Sequence, residues 1–181
     1  MRVAVVHDWL SGPGGAEKVT RELVRLFHAD IFALVDLLND ADRAWILGGQ
    51  RARTTFIQNL PFARAHFRWY LPLFPKAIGS LDLRGYDLIL SSSYAVAKGV
   101  RKRPGQVHVC YIHTPMRYAW VDQDGYLREH GMHSWKAWII RRVMRRMRAW
   151  DTANSAHVDH FIANSANVRE RVRRIYGREA D

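Results

Sequence analysis

Arg2-Val3-Ala4-Val5-Val6-His7-Asp8-Trp9-Leu10-Ser11-Gly12-Pro13-Gly14-Gly15-Ala16-Glu17-Lys18 is the stretch whose reading decides the fold. The apolar run with paired valines predicts a strand buried on both faces, and Gly-Pro-Gly-Gly predicts a turn that neither a strand nor a helix interior tolerates. From Ala16 the pattern turns helical: Val19, Leu23, Leu26 and Phe27 share one face, and Glu17, Lys18, Arg21, Glu22 and Arg25 occupy the others. At the corner of a strand, glycine loop and helix, the first helical N–H groups lack partners and the positive end of the helix dipole points outward. Without side chains at Gly14 and Gly15, a phosphate or carboxylate can approach that backbone closely. Glu17 stands where a dinucleotide fingerprint wants its third glycine, and no Gly-Lys-Ser/Thr follows to make a P-loop. Two readings remain open at this point, an anion site and a glycine turn required only for strand-to-helix packing.

Outward from the corner, strand-like and helix-like runs alternate. Asp30 to Val35 predicts a second strand, Leu37 to Gly49 a loop with at most a helical turn, and Thr54 to Gln58 a short third strand. Gly85 to Ser93 is a turn and an apolar strand ending in Ser91-Ser92-Ser93, followed by a helical turn over Tyr94 to Gly99. Those serines are placed either to line a crevice at the strand's C-terminal end or to cap the following turn. Val107 to Ile112 predicts a strand that delivers His113 into a loop, at the edge of the glycine corner if the strands are parallel. Val158 to Ala163 is the last strand, Asn164-Ser165 caps a helix over Ala166 to Tyr176, and Gly177 stops it. The alternation predicts an α/β fold with a mostly parallel, doubly wound sheet and helices on both faces.

Composition bounds the function. A length of 181 residues with 48% hydrophobic content suits one core. The single cysteine, Cys110, lies in an apolar run, which excludes a disulfide framework and suits a reducing, cytoplasmic setting. No signal-like or bilayer-length apolar segment occurs. Lysine and arginine number 28 against 17 acidic residues, a net charge of +11 that draws polyanions without choosing among them. There is no Cys/His metal-ligand spacing, no hydrolytic triad pattern and no nucleic-acid-binding motif to accompany the charge.

Two segments mix aromatic and basic residues. Between 61 and 81, Phe62, Phe67, Trp69, Tyr70, Leu71, Leu73 and Phe74 alternate with Arg64, His66, Arg68 and Lys76, while Pro72 and Pro75 argue against one long helix. Such a stretch suits core packing and also an anionic membrane surface. Between 135 and 150, Ile139, Val143, Met147 and Trp150 form an apolar stripe beside Arg141, Arg142, Arg145, Arg146 and Arg148. The cationic face suits solvent, and also anionic lipid or a phosphorylated partner.

Several phrases together resemble a known family: His-Asp-Trp-Leu with Gly-Gly-Ala-Glu-Lys-Val between 7 and 19, Thr-Phe-Ile-Gln at 55 to 58, Tyr-Leu-Pro-Leu-Phe-Pro at 70 to 75, Tyr-Asp-Leu-Ile-Leu-Ser-Ser-Ser at 86 to 93, His-Thr-Pro-Met-Arg-Tyr-Ala-Trp at 113 to 120 and Phe-Ile-Ala-Asn-Ser at 161 to 165. In this order they resemble the N-terminal half of bacterial family-4 glycosyltransferases, mannosyltransferases in particular. The resemblance implies a Rossmann-like, acceptor-binding domain over 1–181, one half of a GT-B fold. It implies that a C-terminal domain outside this chain binds most of the nucleotide-sugar donor, which makes the chain inactive alone. It further implies retention of anomeric configuration, no metal and no cofactor, a glycan or lipid-linked acceptor, and work at the inner face of the cell membrane. By the same resemblance, Gly14 and Gly15 contact the donor diphosphate, His113 is the cleft histidine, and Asp8, Trp9, Tyr94, Arg117 and Tyr118 lie on the acceptor side. The rival expectation is a non-catalytic nucleotide- or anion-binding module.

Overall fold

A computed structural model describes residues 1–120 and 135–181, without the side chains of residues 117, 118 and 135–137. Six strands form one sheet: β1 (Val3–His7), β2 (Asp30–Ala33), β3 (Arg53–Thr54), β4 (Leu88–Ser93), β5 (Val107–Ile112) and β6 (His160–Ala163). All neighbours are parallel and the order is β3-β2-β1-β4-β5-β6. This is the expected Rossmann-like α/β fold. Every β1 residue is buried, as a strand covered on both faces must be. Two apolar clusters lie against opposite faces of β1, one built on Ala4 and Val6 and the other on Val3 and Val5. Between β1 and β4 the chain's winding reverses direction, and open α/β sheets have their crevice outside the C-terminal strand ends at that point.

Helix α1 runs Gly15–Phe27. Its buried side is Glu17, Thr20 and Val24, with Leu23 half-buried, while Leu26 and Phe27 are exposed. The expected apolar face is therefore rotated, because polar Glu17 and Thr20 turn inward to meet His7. The expected loop over 37–49 holds a true helix, α2 (Asp40–Leu47), capped by the Asn39 side chain on the Asp42 amide at 2.8 Å and ended by Gly48 at φ 61°. The third strand is two residues long. Thr55 ends it, its hydroxyl donating to the Leu34 carbonyl at 2.8 Å and accepting from the Ile57 amide as a 3₁₀ turn begins.

Segment 61–81 breaks into short helical pieces over Ala63–His66, Phe67–Leu73 and Phe74–Ile78. Core packing holds for part of it. Phe67, Phe74, Ala77 and Ile78 enter the core, while Phe62 and Trp69 are 75% and 69% exposed, the latter stacked on His66 at 4.1 Å. The long helix spans Trp135–Ser155. Met147 is buried and Val143 and Trp150 pack on the core, whereas Ile139 is exposed. A last helix, Ala166–Tyr176, starts at Ser165, whose hydroxyl accepts the Val168 amide at 3.3 Å, and stops at Gly177 with φ 62°. No helix among the described residues is long and apolar enough to cross a membrane.

Candidate functional site

The register of the sheet builds the site. His7 at the end of β1 stands beside Ser92 of β4, Ser92 stands beside Tyr111 of β5, and His113 follows Ile112 immediately. Helix α1 begins over this same edge. Gly14 precedes it in extended conformation with no side-chain cap, so the opening N–H groups are not consumed by a Ser, Thr or Asp. Glu17, three residues on, folds back to its own amide and reaches His7, with Oε1 3.5 Å from Nε2. The two glycines then separate in role. A Cβ on Gly14 would lie 2.5 Å from Glu17 Oε2, whereas one on Gly15 would meet nothing within 4 Å. A side chain at Gly14 would displace the Glu17 carboxylate; Gly15 faces open space at the positive end of the helix. Gly12, with φ 152°, supplies the backbone conformation that lets the loop turn.

A buried polar chain runs from this corner to His113. His7 Nδ1 lies 2.9 Å from Thr20 Oγ1, 3.1 Å from the Ser92 carbonyl and 3.3 Å from Ser92 Oγ. Ser92 Oγ is in turn 2.9 Å from His113 Nε2. Burial disfavours ionisation of Glu17, but its hydrogen bond to His7 and the charge of that ring outweigh burial and hold the carboxyl below its ordinary pKa. His113 is pushed down to about 4, first by burial and then by the charge of His7, so its ring is neutral at physiological pH. Tyr94 closes the group, its ring edge-on to those of His7, Trp9 and His113 at 5.8, 5.0 and 6.2 Å.

Of the expected site residues, Gly14, Gly15, His113 and Tyr94 come together at this edge. Asp8 and Trp9 lie behind it. The Asp8 carboxylate is fully buried and accepts four successive backbone N–H bonds, from Tyr94 (2.6 Å), Ala95 (2.9 Å), Val96 (2.5 Å) and Ala97 (2.6 Å). It thereby fixes the segment that carries Tyr94. Trp9 is 3% exposed and packs on Phe67 and Phe74. The backbone of Arg117 and Tyr118 forms a helical turn over Arg117–Trp120, and their side chains lie outside the described residues. Of the three serines only Ser92 touches the group; Ser91 bonds His108 at 2.8 Å, and Ser93 caps the next turn at the Lys98 amide. Sequence reading missed His7, Glu17 and Thr20. The available signal was polar residues on a helix face and at a strand end where burial asks for apolar ones. Among the described residues no three His, Cys, Asp or Glu side chains gather in a way that could hold a metal ion.

The parallel sheet, its switch point and a glycine-opened helix beside a neutral histidine define a Rossmann-like domain of the kind that forms half of a GT-B enzyme. The family model for Glycosyltransferase Family 4 matches residues 13–181. The chain belongs to that family, whose activity is transfer of a glycosyl group from a nucleotide-sugar donor to an acceptor. No curated protein matches it.

Proposed function

We propose that the chain is the acceptor-side half of a retaining hexosyltransferase that moves mannose from GDP-mannose to a glycan or lipid-linked acceptor in bacterial surface-polysaccharide synthesis. The observation that carries the reading is the meeting, at one sheet edge, of the Gly14-Gly15 opening of α1 with His113. The donor diphosphate binds at the Gly15 side, where backbone N–H groups and the helix dipole meet negative charge without a lysine or metal. His113, neutral and half-buried, hydrogen-bonds the transferred sugar and stabilises charge at the reaction centre. Tyr94 and, by the resemblance, Arg117 and Tyr118 are assigned to the acceptor side, while Asp8 and Trp9 hold that wall from behind. A C-terminal domain supplies the remaining donor contacts, and the chain alone leaves the reacting centre open to water. The reaction uses no metal or other cofactor.

The exposed Phe62 and Trp69, flanked by Arg64, Arg68 and Lys76, with the arginines of the long helix, hold the domain against the anionic inner face of the cell membrane. Vesicle co-sedimentation tests this part: binding should require anionic lipid and weaken with salt, and equal binding to neutral vesicles contradicts it. The donor is tested by assaying the whole enzyme against a panel of nucleotide sugars, reading the anomeric configuration of the product by NMR. GDP-mannose and a retained anomer are expected. Another preferred donor or an inverted product overturns the corresponding claim.

A further inference from the structure

The hydrogen-bond chain behind His113 can be followed proton by proton. Thr20 Oγ1 lies 3.1 Å from the Ala16 carbonyl, which only accepts, so the Thr20 hydroxyl proton goes there. Thr20 therefore accepts from His7 Nδ1, and the Ser92 carbonyl on the same nitrogen can also only accept. Nδ1 of His7 carries a proton. Its other nitrogen lies 3.5 Å from Glu17 Oε1. Ser92 Oγ meets that Nδ1–H at 3.3 Å. The Ser92 proton turns outward, where the acceptor within reach among the described residues is His113 Nε2 at 2.9 Å.

We infer that Ser92 is a positioning residue for His113: backed by the buried His7–Glu17 pair, its hydroxyl donates to Nε2 and fixes the His113 proton on Nδ1. His113 Nδ1 makes no hydrogen bond to protein among the described residues, so that N–H is left for a ligand. His113 then serves as a hydrogen-bond donor to an oxygen of the bound sugar or phosphate and does not act as a base through Nδ1. The tautomer stands on this structure alone; its value in turnover rests on the role proposed for His113 above.

NMR of the chain with ¹⁵N-labelled histidine tests the tautomer, His113→Ala assigning the signals. The expected result is an amine-type shift at Nδ1 and an imine-type shift at Nε2 of His113. Ser92→Ala should move the proton toward Nε2, and Ser92→Thr, which keeps the hydroxyl, should leave it on Nδ1. An Nε2-protonated ring in the unsubstituted protein overturns the inference, whether or not the variants fold. So does a tautomer indifferent to Ser92→Ala. In the whole enzyme, Ser92→Ala should lower kcat about tenfold with KM changed less than about twofold, and Ser92→Thr should restore it. The expected tautomer with unchanged kcat refutes the role given to His113 and leaves the tautomer standing.

Discussion

Asp8 shows how one side chain can set the geometry of a site it does not reach. Four consecutive N–H groups from Tyr94 to Ala97 point at its two oxygens, with distances of 2.5 to 2.9 Å, in a fully buried place. Hydrogen bonds to a charged acceptor are stronger than neutral ones, and an amide buried without a partner costs about 1–3 kcal/mol. Asp8→Ala should lower stability by about 3–5 kcal/mol in urea unfolding. A loss under about 1 kcal/mol would mean that the Tyr94–Ala97 turn holds itself. Asp8→Asn should lie between, because an amide oxygen accepts but its NH2 group faces donors.

The elements are locked together by a second buried charge. Lys98 and Asp151 are both 0% exposed and pair at 2.5 Å; Asp151 also accepts from Trp120 Nε1 at 2.8 Å and the Tyr176 hydroxyl at 2.7 Å. Burial alone would depress the Lys98 pKa, but Asp151 outweighs it and the pKa lies above the ordinary lysine value. The pair joins the turn carrying Lys98 to the long helix and the last helix. The backbone comes so close there that a Cβ on Gly99 would lie 2.2 Å from Trp150 Cζ2. Lys98→Met strands the Asp151 charge and should cost about 3–5 kcal/mol, while Lys98→Met with Asp151→Leu should cost less. Equal losses in the single and double variants would show that the charge itself is not what is stranded.

Local patterns carry the elements; long-range partners do not show in them. The strand, loop and helix at the N-terminus, the strands ending at Ser93 and Ile112 and the Ser165-capped last helix were all legible, because apolar runs, glycines and caps act over a few residues. Helix α2 carried its signals too, Asn39 before it and Gly48 after, but its weak apolar stripe hid it behind loop-type residues. The partners of Asp8 lie 86 to 89 residues away and those of His7 up to 85, so no spacing rule brings them together.

For the molecule as a whole, pH couples the site to stability. Burial pushes His108 down to about 4, and burial with the charge of His7 does the same to His113, against an ordinary 6.5. A depressed folded pKa means that the unfolded chain takes up protons first. The contribution of these rings is thus fully present above about pH 6.5 and is lost as pH falls toward 4. Glu17, held below its ordinary 4.5, adds loss in the same direction below that value. The urea midpoint should be lower at pH 5 than at pH 7.5, and the difference should shrink in His108→Gln. A midpoint independent of pH over that range contradicts this linkage. The net charge of +11 is a separate matter, setting attraction to anions and not the fold.

The proposed function makes the α1 corner and His113 one wall of a glycosyl-transfer cleft. Glycosyl transfer by the whole enzyme carrying His113→Ala tests it most directly. The expected result is kcat lowered about a hundredfold or more with the fold intact; turnover near that of the unsubstituted enzyme would contradict the proposed function.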